Sequence, residues 1–433
     1  MSRSGGSDAP DRVAITGVGI VSALGHGVAS FAAALREGRS GARRMGGEGR
    51  LAQIPAALLA DFNLDAALAS SGDLPGALVQ RARRAARRAP VSVQAAVAAA
   101  TEAWHRAGLD RGGAEPERTE LIVAGQNLNQ RLSCDARTRF AEQPEYLPPA
   151  YGSQFLDTNH VGTLSEVLEI RGEGCTVGGA SASGNVALLN GLRRIRSGEA
   201  SACVVVGAMM ELSPVELWAL DAIGALSLGE AEVDPARACR PFDQQRSGFL
   251  YGEASACLIL EPWAAARARG AQILGELCAG SMVLDGSRGT DPSAEGEARA
   301  MSLALARAGV APSRIDYVNA HATASRLGDE AELAAIERVF GTAPGPWVNS
   351  TKPLVGHTLS AAGVVEALAT LIQMNEGFLH PNPNLDEPIR PGVRLVGTTC
   401  EPVRAELALS NSFGFGGINT SIVLARSEDG QWV

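Results

Sequence analysis

A chain of 433 residues with 45% hydrophobic, 4% aromatic and 20% charged residues can bury roughly three quarters of its unfolded surface, which excludes a disordered chain. Its formal net charge of −9 argues against nucleic-acid binding, because such footprints are strongly basic. All but one of its 38 basic residues are arginine, and the exception is Lys352.

The opening segment MSRSGGSDAPDR is polar and lacks an apolar core, so residues 1–11 are expected to form a disordered tail. No stretch reaches the roughly 18 apolar residues of a membrane span, and a cytoplasmic protein is the expectation. Short runs of β-type residues then alternate with longer alanine-rich segments of helical period, the pattern of α/β architecture. Strands are predicted to start at Arg12 (RVAITGVG), Glu120 (ELIVAG), Ala202 (ACVVVGA), Ser255 (SACLILE), Ile315 (IDYVNA) and Thr420 (TSIVLAR). Helices are predicted over 94–107, closed by Gly108, and over 183–196, 294–308 and 361–374. The polar, glycine-bearing segments 111–116 and 281–292 read as surface loops. The seven cysteines are scattered and include no CxxC pair, so neither a zinc or other metal site nor a disulfide framework is expected.

Four turns concentrate the chemistry-bearing residues. In CTVGGASASGNVALLNG, small residues crowd around Ser181 before a helix begins. Such a turn lifts one hydroxyl to a helix N-terminus, where backbone N–H groups stabilise developing negative charge. The hydrolase pattern G-x-S-x-G fails at its last position, which is Ser183. The bland alternative is a tightly packed turn. In YVNAHATASRLGDEAEL, His321 ends a strand and Asp329 opens a helix; NSTKPLVGHTLSAAGVVEAL carries Lys352, His357 and Glu366. The fourth turn, NSFGFGGINTSIVLAR, sets Phe413 and Phe415 between glycines that permit close backbone approach.

In this order, VNAHAT, NSTKPLVGH and NSFGFGG resemble the β-ketoacyl-acyl carrier protein synthases, type II condensing enzymes of thiolase-like fold. The likeness runs from RVAITGVGIVSALG through RPFDQQRSGFLYGEASACLILE to NSFGFGGIN. It implies a five-layered αβαβα body of two similar halves, 12–261 with Ser181 and 262–433 with His321, Lys352 and His357, assembled as a homodimer. It also implies that His321, His357 and Lys352 are catalytic, that Glu366 and Asp329 support them, and that Thr323 and Ser325 bind pantetheine. The N–H groups of Ser181 and Phe415 would form an oxyanion hole, with Phe415 as a gate.

The family elbow carries cysteine where this chain has Ser181. A thiol is partly ionised at neutral pH, whereas a hydroxyl needs a dedicated base, and an oxygen ester is a poorer acyl donor than a thioester. Chain extension is therefore expected to be crippled, while decarboxylation of a malonyl thioester, which needs hydrogen-bond donors rather than a covalent intermediate, survives. VGGASASGN resembles the serine-bearing branch found beside polyketide β-branching cassettes. The expected reaction converts malonyl-acyl carrier protein to acetyl-acyl carrier protein, with no cofactor beyond the carrier's phosphopantetheine, and feeds a hydroxymethylglutaryl-synthase-like enzyme.

Three rivals are an elongating synthase using Ser181, a non-catalytic chain-length-factor-like subunit and a serine hydrolase. Against the family pattern, Ala322, Arg326 and Ser247 stand where glycine, proline and aspartate are usual; Arg326 either reaches the linker phosphate or is solvated. Carrier proteins are acidic, and QRARRAARRAP offers a local basic surface, with Arg81, Arg84 and Arg88 on one helical face. The resemblance places carrier docking at Arg84, Arg87 and Arg88; the alternative is a solvated face.

Overall fold

The first strand, β1 (Val13–Ser22), is buried along its whole length, and in the computed structural model it lies near the middle of a long mixed sheet. The structure describes residues 12–46, 49–227, 234–341 and 345–428; the predicted tail, 1–11, lies outside them. Besides the short strand Gly25–His26, which pairs with β1, this sheet contains β2 (Thr119–Ala124), β3 (Gly174–Val177), β4 (Ala202–Gly207), β5 (Ala254–Pro262), β6 (Gly275–Leu284), β7 (Tyr317–Asn319), β8 (Trp347–Asn349), β9 (Leu407–Gly414) and β10 (Ile418–Arg426). Their hydrogen-bonded order is β8-β7-β9-β10-β6-β1-β5-β4-β2-β3. The segments β1–β5 and β6–β10 each place their third, second, fourth, fifth and first strands side by side. In each, the first three of these pair in parallel and the rest antiparallel. The two sets meet through Ala14 opposite Glu276 and Ile15 opposite Gly275.

Seven helices matter for the site: α1 (Gly76–Ala86), α2 (Val91–Arg106), α3 (Ser183–Arg196), α4 (Pro214–Ala222), α5 (Ala294–Ala308), α6 (Arg326–Phe340) and α7 (Ala362–Glu376). Helices α3 and α7 pack on each other and on strands of both sets, forming the central layer. One outer layer contains α2 against β1 and β5; the other contains α5 against β6 and β10, with α6 packed on α5. The layering is that of the thiolase-like fold. The alanine richness has a steric cause: a Cβ on Gly17 or Gly19 would lie 2.1 Å from the carbonyl oxygen of Ala103 or Ala99. Only glycine facing a helix of alanines allows such an approach.

The crossing of α3 and α7 makes a demand of the same kind. A Cβ on Gly184 would fall 2.6 Å from the Val364 nitrogen and 2.7 Å from Gly363 Cα. The N-terminal ends of the two central helices therefore touch backbone to backbone, which brings Ser181 and His357, each just upstream, to the same point.

Helices α3 and α5 have the predicted bounds. The predicted 94–107 helix begins earlier, at Val91 after Pro90, and the predicted 361–374 helix runs to Glu376, ended by Gly377 at φ 71°. The predicted loop 281–292 is corrected at its start: Ser281 to Leu284 continue β6, laddered against Ser421 to Ile418 of β10. Pairing with a distant strand overrides the polar, glycine-flanked composition of that segment. Among the described residues, no helix is long and apolar enough to cross a membrane.

Candidate active site

Strand β3 delivers the chain to the elbow. Ala180 adopts φ 50° at the tip, and a single 3-10 turn, Ala180–Ala182, leads into α3. A left-handed alanine is strained, and the turn is held by Ser183, whose hydroxyl accepts from Gly179 N–H at 2.9 Å and donates to Ala180 C=O at 2.6 Å. The NSFGFGG motif braces it from the other side: a Cβ on Gly414 would lie 2.4 Å from Gly179 O.

Ser181 Oγ is 2.9 Å from His357 Nε2. His357 follows the short helix Lys352–Val355 and Gly356 at φ 77°, and its N–H donates to Leu250 O at 2.6 Å. The imidazoles of His321 and His357 meet edge to face with ring centroids 5.4 Å apart. Phe249 packs edge-on to His357 and Phe413 lies against His321. The backbone at His321 is fixed by Glu332, which accepts from the N–H groups of His321 and Ala322 at 2.9 and 2.7 Å and from Asn411 Nδ2 at 3.0 Å. Asp329, expected to support the histidines, accepts instead from Phe242 N–H at 2.8 Å. Because Asp329 lies one turn earlier on α6, it faces the 240s loop, and the supporting carboxylate is Glu332.

Lys352 and Glu366 form a buried ion pair, 1% and 2% exposed at their side chains, and Ser412 donates to the second oxygen of Glu366 at 3.4 Å. Burial pushes Glu366 up to about 7 against the pull of Lys352. Burial and then the Lys352 charge hold both imidazoles well below the ordinary histidine value, with His357 adding to the effect on His321. At neutral pH both rings are therefore uncharged. Each Nδ1 is buried without a partner among the described residues. No carboxylate among the described residues orients His357 or stabilises its charged form, so the arrangement lacks the acid of a Ser-His-Asp triad. With the proton on Nε2, each imidazole is a neutral donor.

Ser181, His321 and His357 open into a cavity of about 790 Å³ whose wall includes Thr323, Ser325, Phe415 and, from α4, Ala219 and Leu220. Ser325 caps α6, accepting from Gly328 N–H at 3.2 Å. Arg246 holds the C=O groups of Ser325 and Arg326 at 3.3 and 2.7 Å, while Ser247 is 3.1 Å from Ser227. Arg326 and Leu327 are exposed on the rim. Phe415 is 46% exposed in the turn between β9 and β10. Cys175 lies in β3, away from the elbow. Among the described residues, no group of three His, Cys, Asp or Glu side chains is placed to share a metal ion.

The basic run departs from the predicted face. Helix α1 ends at Ala86, Arg87 caps it and Arg88 lies beyond, so 81, 84 and 88 do not form one continuous helical stripe. Arg81 turns inward to Val167 O at 3.0 Å. Arg84 is 3.8 Å from Glu166, and Arg87 and Arg88 are exposed.

Family models described as "Beta-ketoacyl synthase, N-terminal domain" and "Beta-ketoacyl synthase, C-terminal domain" match residues 10–266 and 275–386. The chain is 38% identical over 416 residues to the polyketide biosynthesis malonyl-ACP decarboxylase PksF of Bacillus subtilis, covering 96% of this chain and 97% of that protein. It is 32% identical to a 3-oxoacyl-[acyl-carrier-protein] synthase 2 of Coxiella burnetii, covering 96% and 99%. Among solved structures it is similar to the ishigamide ketosynthase/chain length factor, with a TM-score of 0.84, 29% identity and coverage of 96% and 100%. It is also similar to the AntDE:AntF complex, a type II polyketide acyl-carrier protein with its ketosynthase, with a TM-score of 0.83, 26% identity and coverage of 96% and 100%.

Proposed function

The chain belongs to the β-ketoacyl synthase family, and we propose on that footing that it decarboxylates a malonyl unit on an acyl carrier protein to leave an acetyl unit, for polyketide β-branching. The observation that carries this reading is the pair of neutral imidazoles, His357 buried and His321 half-buried, beside a serine in the nucleophile position. Ser181 has no acid-supported base to ionise it, so acyl transfer to the enzyme is disfavoured. Decarboxylation asks for something else. As the C–C bond breaks and carbon dioxide leaves, charge collects on the thioester oxygen, and His321 and His357 can each direct an N–H at it. The Lys352 charge behind them favours the resulting enolate. The 38% identity to a malonyl-ACP decarboxylase supports the same reaction.

The reaction requires no cofactor beyond the carrier's phosphopantetheine, which would enter past Phe415 with Thr323 and Ser325 along its path. The acetyl-carrier product suits a hydroxymethylglutaryl-synthase-like partner that adds a two-carbon unit. Strand β3 has an outer edge among the described strands, and Gly174 and Cys175 there are exposed. An uncovered edge strand invites pairing, which supports a homodimer built across β3. Incubation with malonyl-acyl carrier protein, followed by intact mass, tests the function: acetyl-carrier protein should accumulate, whereas a stable acyl-Ser181 with elongated product would favour the synthase reading.

Exposed Arg87 and Arg88, with Arg84 beside them, remain the proposed contact for the acidic carrier. Reversing all three to glutamate should raise the KM for carrier-bound malonate at least tenfold while leaving turnover of a small malonyl-thioester mimic unchanged. Equal slowing of both substrates would remove the docking assignment.

A further inference from the structure

One acid in the cavity wall has no part in the steps above. Glu297, in the first turn of α5, is 2% exposed and lines the same cavity as Ser181, His321 and His357. Its Oε2 has no hydrogen-bond partner among the described residues. The charged groups acting on it are acidic: Glu332 and Asp329 from α6, and Asp285 just after β6. Burial first, and then these carboxylates, push its carboxyl well above the usual range, which favours the protonated acid.

The decarboxylation needs such an acid, because the enolate carbon must take up a proton to become a methyl group. Neutral imidazoles donate hydrogen bonds to oxygen but are weak acids, and serine and threonine hydroxyls are weaker still. The other carboxyls of the wall are engaged or solvated. Glu332 accepts from the His321 and Ala322 N–H groups, Glu216 from Ser213 N–H at the start of α4, and Asp285 from Asn419; Asp291 is exposed.

Resting on the decarboxylase reading, we propose that Glu297 is the proton source for the acetyl group. Its O–H bond breaks as the new C–H bond forms at the enolate carbon, and solvent entering the cavity restores the proton. The test compares wild type, Glu297→Gln and Glu297→Asp on malonyl-acyl carrier protein across pH. In Glu297→Gln, kcat should fall about ten- to a hundredfold with KM within threefold of wild type. The alkaline fall in wild-type kcat should vanish in Glu297→Gln and return in Glu297→Asp. The thermal midpoint should hold in Glu297→Gln, since an amide replaces a neutral acid of the same shape. A Glu297→Gln enzyme with wild-type kcat and pH profile would overturn the assignment alone. A wild type that forms no acetyl-carrier protein would overturn the decarboxylase reading and this inference with it.

Discussion

Replacing His321 or His357 by alanine is expected to lower kcat for malonyl decarboxylation by about a hundred- to a thousandfold, the effect of removing one preorganised donor from a developing oxyanion. The size follows from their surroundings. His357 is buried and His321 half-buried beside it, both are held neutral by burial and by Lys352, and the rings meet edge to face with centroids 5.4 Å apart, so both can serve one oxygen in the cavity. The same electrostatics set the acid side of the pH profile. The neutral form is the working form, and its pKa is depressed, so activity carried by the histidines persists as pH falls through 6.5 and is lost only well below it. Steady-state kinetics of wild type and both variants from neutral pH downward check both parts. A histidine variant with near wild-type kcat, or a wild type that loses half its activity near pH 6.5, would be incompatible with neutral imidazole donors.

Gly184→Ala should damage stability and rate together. Its Cβ would sit 2.6 Å from a backbone nitrogen of α7, which cannot rotate away, so the two central helices must separate. Overpacking of this kind costs about 1–3 kcal/mol. Separation also moves Ser181 relative to His357, and a misplacement of about 1 Å can cost on the order of 10²-fold in rate. The urea midpoint and kcat should therefore fall together. Gly162→Ala is the control: nothing lies within 4 Å of its Cβ site, and alanine is favoured in a helix interior by about 1 kcal/mol. If Gly184→Ala matches wild type in both measurements, the helix crossing does not set the site.

The parts of this molecule legible in the sequence are those governed by local rules. Long apolar runs such as ACVVVGA are strands, and α3 and α5 have the predicted bounds because helical periodicity and the glycines that follow, Gly198 and Gly309, are local signals. Strand β9 was not legible, because its serines and asparagine are buried through long-range pairing with β10 and β7. Three- and four-residue strands such as β8 and β3 are too short to show a period. In the site, the motifs carry Ser181, His321, Lys352, His357 and Glu366, but sequence reasoning named Asp329 as a supporting acid and did not raise Glu332. Both are acids on one helix, and only the fold shows which carboxylate reaches the His321 N–H. Glu297 was invisible for the same reason: in EGEARAM it reads as a solvated helix residue, and its burial follows from packing against β6 and β10. The arginine face failed because α1 stops at Ala86, three residues before the Ala89-Pro90 break, inside a run of arginine and alanine that carries no stop of its own.

The central claim is that the two imidazoles, and not an acylated Ser181, perform the chemistry. Its most direct test is intact-mass analysis of malonyl-acyl carrier protein incubated with the Ser181→Ala variant. Substantial conversion to acetyl-acyl carrier protein is predicted, within about tenfold of the wild-type rate, because the hydroxyl is not a covalent relay. Complete loss of conversion in Ser181→Ala, together with an acylated serine in the wild type, would contradict it.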